Sequence, residues 1–367
     1  MLAAVARIQA MGRFVPKMTR LCTVGLLAAT LLVGGIAAAA GAREWTEQDF
    51  AEREVRGYEF VPPREEPDFR TKTMIGRLRH WRPERGDTFL DIGRHFDLGH
   101  NAMVAANPGV DEWVPHTSGK TLTIPTQWIL PTGRYEGLVV NLPEMRLYWY
   151  PPAGAGGERE VYTFPVGLGR QQWRTPQGDF TITEKARNPT WVIPESILKE
   201  RREEDGDERR SIPGGDPENP LGAYRLRLSL PSYAIHGTNI PWGVGMSVSH
   251  GCVRMYPEDI DAFFPMIPTG ARGAFVYQTI KFGERGGRVF VEVHPDLYGQ
   301  QPGPWRESQR LIEEQGLRGR VDEEKLLQAI REKRGYPIDV SANSDAARDL
   351  ETERLRPPQA SADTSDS

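Results

Sequence analysis

The chain contains 367 residues, 38% of them hydrophobic and 26% charged, which is enough for two or three compact units with apolar cores. Its first 42 residues include four basic and no acidic side chains, and the rest carries 42 basic against 50 acidic side chains, a net charge of −8. This mildly acidic balance argues against nucleic acid as a partner.

An apolar segment near the N-terminus predicts that the protein is exported. Residues 21–40 are uncharged and apolar, follow several basic residues, and end in alanines that offer cleavage sites after Ala40 or Ala42. This layout is typical of a secretory signal, which we assign to residues 1–42. The alternative is an uncleaved membrane anchor, since about 20 apolar residues can just span a bilayer.

Two short segments precede the main body of the chain. Residues 43–76 are rich in charge and proline, and they predict a linker with one short helix near Glu44 to Tyr58. In residues 77–126, Asp87 and Thr88 supply N-cap chemistry before a helical pattern, and a second apolar helix stops at an Asn-Pro-Gly sequence. With a strand at each end, this segment is predicted to be a small independent α+β unit.

From residue 134 onwards the pattern changes to short strands separated by proline and glycine turns. Several such strands at regular spacing predict a mainly β, sandwich-like domain over residues 134–281. A charged block at residues 199–210 interrupts this domain. The block predicts a solvated loop or, if it lies beside a site, a lid.

Helical patterns return in the C-terminal part of the chain. Ile260, Phe263 and Phe264 lie at helical spacing, and they predict a helix that packs them inward. Residues 282–340 predict a strand followed by amphipathic helices. The polar, acidic residues 341–367 contain no aromatic side chain and predict a disordered tail.

Candidate chemistry is concentrated in residues 236–255, which read HGTNIPWGVGMSVSHGCVRM. Cys252 is the only cysteine outside the N-terminal apolar segment, and His236 and His250 lie close to it in sequence. A thiol needs a neighbouring base to become a nucleophile at neutral pH, so this pattern predicts covalent catalysis. Spacing alone favours His250 as the base, because it lies two residues from the thiol. The alternative for Cys252 is an inert buried cysteine.

The unit at residues 77–126 resembles the LysM module of peptidoglycan-binding proteins. The matching residues are Gly86-Asp87-Thr88, Asn107-Pro108 and the closing segment 122–125. This resemblance implies contact with glycan that contains N-acetylglucosamine. The alternative is a structural adaptor that has kept the LysM shape without affinity for glycan.

The spaced segments IHGTN, PWGVG and SHGCVRM resemble the catalytic signature of the L,D-transpeptidase (YkuD) family. Upstream, TPQGDFTITEKARNPTW and ENPLGAYRLRL resemble the ErfK/YbiS/YcfS/YnhG branch, and the similarity covers about residues 75–300. The resemblance implies an exported, periplasmic enzyme that remodels peptidoglycan. The sequence contains no phosphate loop, dinucleotide fingerprint or metal-ligand cluster, so neither a cofactor nor a metal is expected.

The resemblance also implies roles for the residues of the signature. Cys252 becomes the nucleophile and His236 the general acid/base, oriented by a backbone carbonyl near Gly237. The resemblance therefore implies that His250 lies in the wall of the site and is not the base. The backbone amides of Gly251 and Cys252 are expected to face the oxyanion, and Ser249 to steady their turn.

Four further residues of this region are candidates for contact with the substrate, and they are Arg254, Trp242, Tyr233 and Thr238. For Arg254 the alternative is an ordinary structural salt bridge. For Tyr233, and likewise for Tyr224, the alternative is a place in the core.

The implied reaction is acyl transfer in two steps. Cys252 attacks the carbonyl of diaminopimelate in a tetrapeptide stem, expels D-alanine and forms a thioester. The acceptor is then the amine of a second diaminopimelate, giving a 3-3 cross-link, the lysine of an outer-membrane lipoprotein, a free D-amino acid, or water. The rival hypotheses are an L,D-carboxypeptidase or cell-wall hydrolase, and a wall-binding protein without catalysis.

Overall fold

The computed structural model describes most of the chain. The predicted signal, residues 1–42, and the predicted tail, residues 341–367, lie almost entirely outside the described part. Among the residues that are described, no helix is long and apolar enough to cross a membrane. The described residues are 42–53, 55–63, 72–154, 157–301 and 303–342.

Short strands alternate with short helices along the chain. The first elements are α1 (Glu47–Ala51), β1 (Tyr58–Glu59), β2 (Met74–Gly76), β3 (Arg79–Trp81), α2 (Phe89–His95), α3 (His100–Ala106), β4 (Leu122–Ile124), β5 (Gln127–Ile129), β6 (Gly137–Asn141), β7 (Arg146–Tyr150), β8 (Glu160–Pro165) and β9 (Leu168–Gly169). They are followed by β10 (Gly178–Arg187), β11 (Trp191–Val192), α4 (Glu195–Asp205), β12 (Ser211–Ile212), β13 (Tyr224–Leu228), β14 (Ala234–His236), β15 (Ser247–Ser249) and β16 (Val253–Arg254). The last are α5 (Pro257–Met266), β17 (Arg272–Val276), β18 (Ile280–Arg285), β19 (Arg288–Val293), α6 (Pro304–Glu314), α7 (Glu323–Glu332) and β20 (Ile338–Asp339).

A nine-stranded sheet forms the body of the protein, and the predicted mainly β fold is confirmed. The strand order in this curled sheet is β1-β8-β7-β6-β17-β10-β13-β14-β16. Neighbouring strands are antiparallel except at two places, where β6 pairs with β17 and β14 pairs with β16 in parallel. The second parallel pair carries the central residues of the predicted active site.

Strands β6 to β8 are covered on both faces, which explains their nearly continuous apolar sequences. Side chains alternate between the two faces along each strand. One face contributes to the core that also holds the apolar side of α5, through Leu138, Val140, Leu147, Trp149 and Phe164. The opposite face packs against residues of the segment 75–130, through Val139, Tyr148, Tyr150 and Val161.

The unit at residues 77–126 is therefore not independent, contrary to the prediction from its sequence. Its strand, two helices and strand are present, and Thr88 caps α2 by accepting the amide of Asp91 at 3.2 Å. However, Phe89 and Met103 of the unit belong to the same apolar cluster as Tyr148 of β7. Two helices of seven residues cannot close a core of their own, so they cover the sheet instead.

The predicted linker also packs against the domain in its described parts. β1 adds an edge strand to β8. Arg53 is largely buried, and its guanidinium forms an ion pair with the fully buried carboxylate of Asp259 in α5. Because a buried charge is costly without a partner, this contact anchors the predicted linker to the domain, and the predicted short helix is present as α1. The middle of the segment, residues 64–71, lies outside the described residues.

The charged block at residues 199–210 is largely exposed, as predicted for a solvated segment, but most of it is helical and not a loop. Pro194 precedes α4, and Gly206 ends it in the left-handed conformation with φ +69°, a common helix C-terminus. A small apolar cluster accompanies the helix, formed by Ile193, Leu198 and Ile212. The helix is thus bounded by Pro194 and Gly206, and Leu198 gives it an apolar contact.

The C-terminal extension contains the predicted helices. β18, β19 and β20 form a three-stranded antiparallel sheet. α6 and α7 pack on it around a separate apolar cluster that includes Leu311, Leu326 and Ile330. This extension meets the rest of the protein at Glu292, whose carboxylate accepts the backbone amide of Ile129 at 2.6 Å.

Candidate active site

The parallel pairing of β14 and β16 brings the two ends of the predicted signature together. Ile235 lies opposite Val253, and His236 lies opposite Arg254. Since side chains alternate along an extended chain, Cys252, His236 and Arg254 share one face of this sheet edge. Strand pairing therefore brings His236 and Cys252 together, although they are 16 residues apart in the sequence.

His236 is held in the orientation that a general base requires. Its imidazole is buried, with 3% exposure, and Nδ1 lies 2.6 Å from the carbonyl oxygen of Gly237. A carbonyl can only accept, so Nδ1 carries the proton and donates, and Nε2 is left as the basic nitrogen. Burial, together with the charge of Arg254, lowers the pKa of His236 to about 3. The imidazole is therefore neutral, and able to accept a proton, at neutral pH.

Cys252 is a partly buried thiol in the resting structure. Burial raises the pKa of Cys252, while the backbone amide of Ala234 and the charge of Arg254 act in the opposite direction without cancelling the effect. Sγ lies 3.6 Å from the carbonyl oxygen of Ser232, and it makes no hydrogen bond to His236 among the described residues. The resting pair is thus a neutral thiol and a neutral imidazole, and proton transfer must accompany attack on the substrate.

We expect the pH profile of acylation to reflect this neutral pair. A base works only above its pKa, so a His236 pKa of about 3 keeps the base competent through mildly acidic pH. The rate at which a carbapenem adds to the protein, followed by intact mass, should therefore show no fall around pH 6.5, where an ordinary histidine of pKa about 6.5 gains its proton. A loss of rate centred near pH 6.5 would show that the base is an unperturbed imidazole.

The turn that carries Cys252 depends on Gly251. Its φ of +109° disfavours other residues, and a Cβ there would lie 2.8 Å from the ring of Tyr233. The hydroxyl of Ser249 accepts the amide of Gly251 at 3.0 Å and donates to the carbonyl of Cys252 at 2.6 Å. Ser249 therefore steadies the turn. The Gly251 amide is already engaged, which corrects the expectation that it faces the oxyanion. For the amide of Cys252 that role stays a prediction.

Two residues outside the signature support this turn, and neither is evident from the sequence. Thr175 donates its hydroxyl to the carbonyl of Gly251 at 2.8 Å and accepts the amide of Gly169 at 3.1 Å. Tyr298, from the C-terminal extension, donates its hydroxyl to the carbonyl of Gly169 at 2.8 Å. Only their proximity in the fold identifies them, although Thr175 opens the TPQGDF segment that matches the family.

The side chain of His250 contacts two residues from outside the signature segment. Its Nε2 lies 2.6 Å from a carboxylate oxygen of Glu200 in α4 and 2.7 Å from Nη2 of Arg170, which itself pairs with Glu200. Burial works to raise the pKa of Glu200, but the hydrogen bonds from His250 and Arg170 outweigh it and hold that pKa below its usual range. Nε2 of His250 is therefore engaged by Glu200, and the charged helix α4 lies beside the site.

Arg254 has no acidic partner among the described residues, so the alternative of a structural salt bridge does not fit. Its Nε is buried and makes no hydrogen bond within the described part of the chain. Burial lowers the pKa of Arg254, which shows that its guanidinium is held in a poorly hydrated environment. An unpaired guanidinium beside the thiol is suited to receive a carboxylate.

The remaining predicted contact residues differ in their exposure. Tyr233 packs its ring on the Gly251 turn, so it can line the site. Trp242 is 43% exposed in the loop before β15, and its contact with substrate stays a prediction. Thr238 is 4% exposed, and its hydroxyl accepts the amide of Ile240 at 3.0 Å. Its prediction as a substrate contact therefore does not fit, because its polar atom stabilises the loop. Tyr224 packs against helix α5, as the core alternative predicts.

A group of possible metal ligands lies away from this site. Among the described residues, Glu144, Glu292 and His294 place their ligand atoms within 4.8 Å of one another. The fully buried ammonium of Lys281 lies 2.7 Å from Glu144 and 3.0 Å from Glu292. Burial favours the neutral form of Glu144, but the charges of Lys281 and His294 still lower its pKa. The lysine occupies the position of a cation, so we assign a structural ion-pair role to this group.

Comparison with known proteins agrees with the geometry of the site. Residues 136–280 match the family model described as "YkuD: L,D-transpeptidase catalytic domain". The chain is 37% identical over 254 residues to the probable L,D-transpeptidase YbiS of Escherichia coli, covering 66% of this chain and 80% of that protein. It is 34% identical over 259 residues to the probable L,D-transpeptidase ErfK/SrfK of Salmonella typhimurium, covering 67% of this chain and 80% of that protein.

Two further comparisons are more partial. The probable L,D-transpeptidase YcfS of Escherichia coli is 36% identical over 217 residues, which span 58% of this chain and 66% of that protein. Among solved structures, an L,D-transpeptidase from Mycobacterium smegmatis matches 45% of this chain and 71% of its own with 16% identity and a TM-score of 0.28. The family assignment rests on the sequence comparisons.

Proposed function

Because the chain belongs to the YkuD L,D-transpeptidase family, we propose that it remodels peptidoglycan by transferring a stem-peptide acyl group through Cys252. The observation that supports this most directly is the pairing of β14 with β16, which sets a basic imidazole and an unpaired guanidinium beside a thiol. These groups supply a base, a carboxylate receptor and a nucleophile for acyl transfer.

In the first step the donor is a tetrapeptide stem that ends in D-alanine. Cys252 Sγ attacks the carbonyl of diaminopimelate as His236 Nε2 takes the thiol proton. The C–N bond to D-alanine then breaks, and His236 returns the proton to the departing amine. The product is a thioester on Cys252, while the hydrogen bond to Gly237 keeps the imidazole oriented through both transfers.

Arg254 is assigned to the carboxylate end of the donor. The bond that breaks lies next to the free carboxylate of the terminal D-alanine, and no acidic side chain of the described residues neutralises the guanidinium. A carboxylate bound to Arg254 would place the neighbouring carbonyl near Sγ, where orientation contributes strongly to rate.

In the second step an amine attacks the thioester. We propose the side-chain amine of a second diaminopimelate, which gives a 3-3 cross-link, or the lysine of an outer-membrane lipoprotein. The periplasm is the proposed location, because residues 1–42 have the layout of an export signal, or of an inner-membrane anchor if it is not cleaved. Delivery of the acyl group to water, as in an L,D-carboxypeptidase, is the second candidate function, and it requires only the same thioester.

Product analysis separates these functions. Purified protein is incubated with disaccharide-tetrapeptide, and the products are identified by mass spectrometry. We expect release of D-alanine with formation of dimers joined through two diaminopimelate residues. A donor whose diaminopimelate amine is acetylated serves as the matched control, because it can acylate Cys252 but cannot accept.

Each outcome of this experiment decides between the candidates. Dimers that form from the free-amine substrate but not from the acetylated donor alone would support transfer to the diaminopimelate amine. A product that joins the acetylated donor to a peptide presenting a lysine would support transfer to that lysine. Tripeptide as the only product, with free amine present, would favour the hydrolase. Failure to release D-alanine from either substrate would contradict the proposed function.

A further inference from the structure

The N-terminus of α3 meets the catalytic loop that leads to Cys252. The first amides of any α-helix lack partners within the helix, and Gly99, at the N-cap of α3, has no side chain to satisfy them. Instead the amide of His100 donates to the carbonyl of Val244 at 3.3 Å, and the amide of Asn101 donates to that of Gly245 at 3.2 Å. The loop therefore acts as the cap of this helix.

Two glycines allow this close approach. A Cβ on Gly99 would lie 2.4 Å from the Cα of Gly245, and a Cβ on Gly245 would lie 2.3 Å from the Cα of Gly99. Real side chains do not tolerate such distances, so neither position accepts a larger residue unless the backbones separate. The contact is thus specific to a pair of glycines on two different parts of the fold.

The loop on the other side of this contact leads directly into the active site. The amide of Gly245 donates to the carbonyl of Val166 at 3.2 Å, and the amide of Leu168 donates to the carbonyl of Met246 at 3.0 Å. Four residues after Gly245 comes Ser249, which steadies the turn that carries Cys252. Loop residues 241–249 are therefore held between α3 and the strand at residues 166–169.

Several contacts fix α2 and α3 to the catalytic domain. Arg94 of α2 makes two hydrogen bonds of 2.9 Å to the carboxylate of Glu258 in α5. Tyr256, which precedes α5, donates its hydroxyl to the carbonyl of Leu98 at 3.1 Å. Arg146 of β7 donates to the carbonyl of Asp97 at 2.6 Å. Together with the apolar cluster that the unit shares with β6–β8, these contacts make the unit a rigid support.

We propose that the unit at residues 77–126 positions the catalytic loop, with Gly99 and His100 as positioning residues for the acylation step. This inference rests on the proposed function, because it concerns the formation of the Cys252 thioester. It differs from the role that LysM resemblance implies, since a glycan-binding module would act on substrate affinity and would not affect a substrate that lacks glycan. The unit instead acts through backbone contacts with the loop.

Acylation by a carbapenem tests this separation, because the antibiotic contains no glycan. We expect Gly99→Ala to lower the maximal acylation rate about 10²-fold, since displacement of catalytic groups by about 1 Å can have that effect. The concentration of antibiotic that gives half of the maximal rate should change far less, because the loop acts on the chemical step. Both quantities are obtained from the growth of the adduct in intact-mass spectra.

Gly119→Ala is the matched control within the same unit. Gly119 has φ +65°, and a Cβ there would meet nothing within 4 Å, so this change strains the unit without touching the catalytic loop. We expect wild-type acylation for Gly119→Ala. Thermal unfolding of each variant, followed by circular dichroism, shows whether a slow variant is folded.

A second pair of variants tests the contact of the His100 amide with the loop if Gly99→Ala does not fold. Proline is favoured at the first position of a helix, and Gly99 already has the extended conformation, ψ 158°, that proline requires of its predecessor. His100→Pro therefore suits the helix but removes the amide that binds Val244. His100→Ala loses the same side chain and its contact with Glu112 but keeps that amide. Acylation of His100→Pro should be at least about tenfold slower than that of His100→Ala.

The results distinguish failure of this inference from failure of the proposed function. Wild-type protein that forms no adduct would contradict the proposed function itself. Wild-type rates for folded Gly99→Ala, or equal rates for the two His100 variants, would overturn the positioning role and leave the proposed function intact. Slow acylation of Gly119→Ala at unchanged folding would also overturn it, because the effect would then not pass through the loop contact.

Discussion

Replacing His236 with alanine should lower the rate of acyl-enzyme formation by about 10²- to 10⁴-fold, the range that a positioned general base contributes. The thiol of Cys252 is neutral at rest because burial raises its pKa. Without a base, attack depends on the small fraction of thiolate present at neutral pH. The rate is measured by quenching reactions with a carbapenem at intervals and recording the intact mass.

His250→Ala should lower the same rate by less than about tenfold, because its Nε2 is held by Glu200, which also pairs with Arg170. The loss that remains would come from weaker attachment of α4 to the site.

A third variant tests whether the slow acylation expected of His236→Ala could come from a disturbed fold alone. His236→Asn keeps an amide donor near the carbonyl of Gly237 but has no basic nitrogen, so it should be as slow as His236→Ala while keeping more of the fold. Equal losses from the His236 and His250 variants would mean that the division of roles between the two histidines is wrong. Normal acylation rates in His236→Asn would show that His236 is not the general base.

The parts of the site that the sequence predicts are those with local or regularly spaced signals. The interval between His236 and Cys252 matched a family signature, and strand pairing explains that interval physically. The N-cap at Thr88 and the helix that buries Ile260 follow from capping chemistry and helical spacing. Such signals depend on neighbouring residues, so they can be read without knowing the fold.

The parts that escape prediction depend on contacts between distant segments. Nothing near Glu200 in sequence points to His250, fifty positions later, and Tyr298 supports the catalytic turn from the segment that follows β19. The independence predicted for residues 77–126 failed for a similar reason. Their helical pattern predicts an apolar face, but only the fold shows that the surface it covers belongs to β6–β8.

The sequence also does not show which polar groups already have a hydrogen-bond partner in the fold. Gly251 and Thr238 have residue types that suit an oxyanion donor and a substrate contact, respectively. In the structure, the Gly251 amide binds Ser249, and the Thr238 hydroxyl binds the amide of Ile240. Polar groups at a turn are often used by the turn itself, and a motif does not show which of them stay free.

Cys252→Ala should abolish covalent chemistry completely, which is the largest effect that we expect from a single substitution. Cys252 is the only cysteine beyond the N-terminal apolar segment, so no second thiol of the catalytic domain can replace it. The side chain is small and partly buried, and its loss should leave the fold intact. Gly119→Ala, where a Cβ would meet nothing within 4 Å, again serves as the control for handling and folding.

The central claim is that Cys252 carries the acyl group, and intact-mass spectrometry after incubation with a carbapenem tests it most directly. Sγ opens the lactam at its carbonyl and the ring nitrogen takes the proton, so no atom leaves. The protein should gain the whole mass of the antibiotic, a peptide map should place it on Cys252, and Cys252→Ala should gain nothing. An adduct of equal yield on Cys252→Ala, or none on the wild-type protein, would contradict the account.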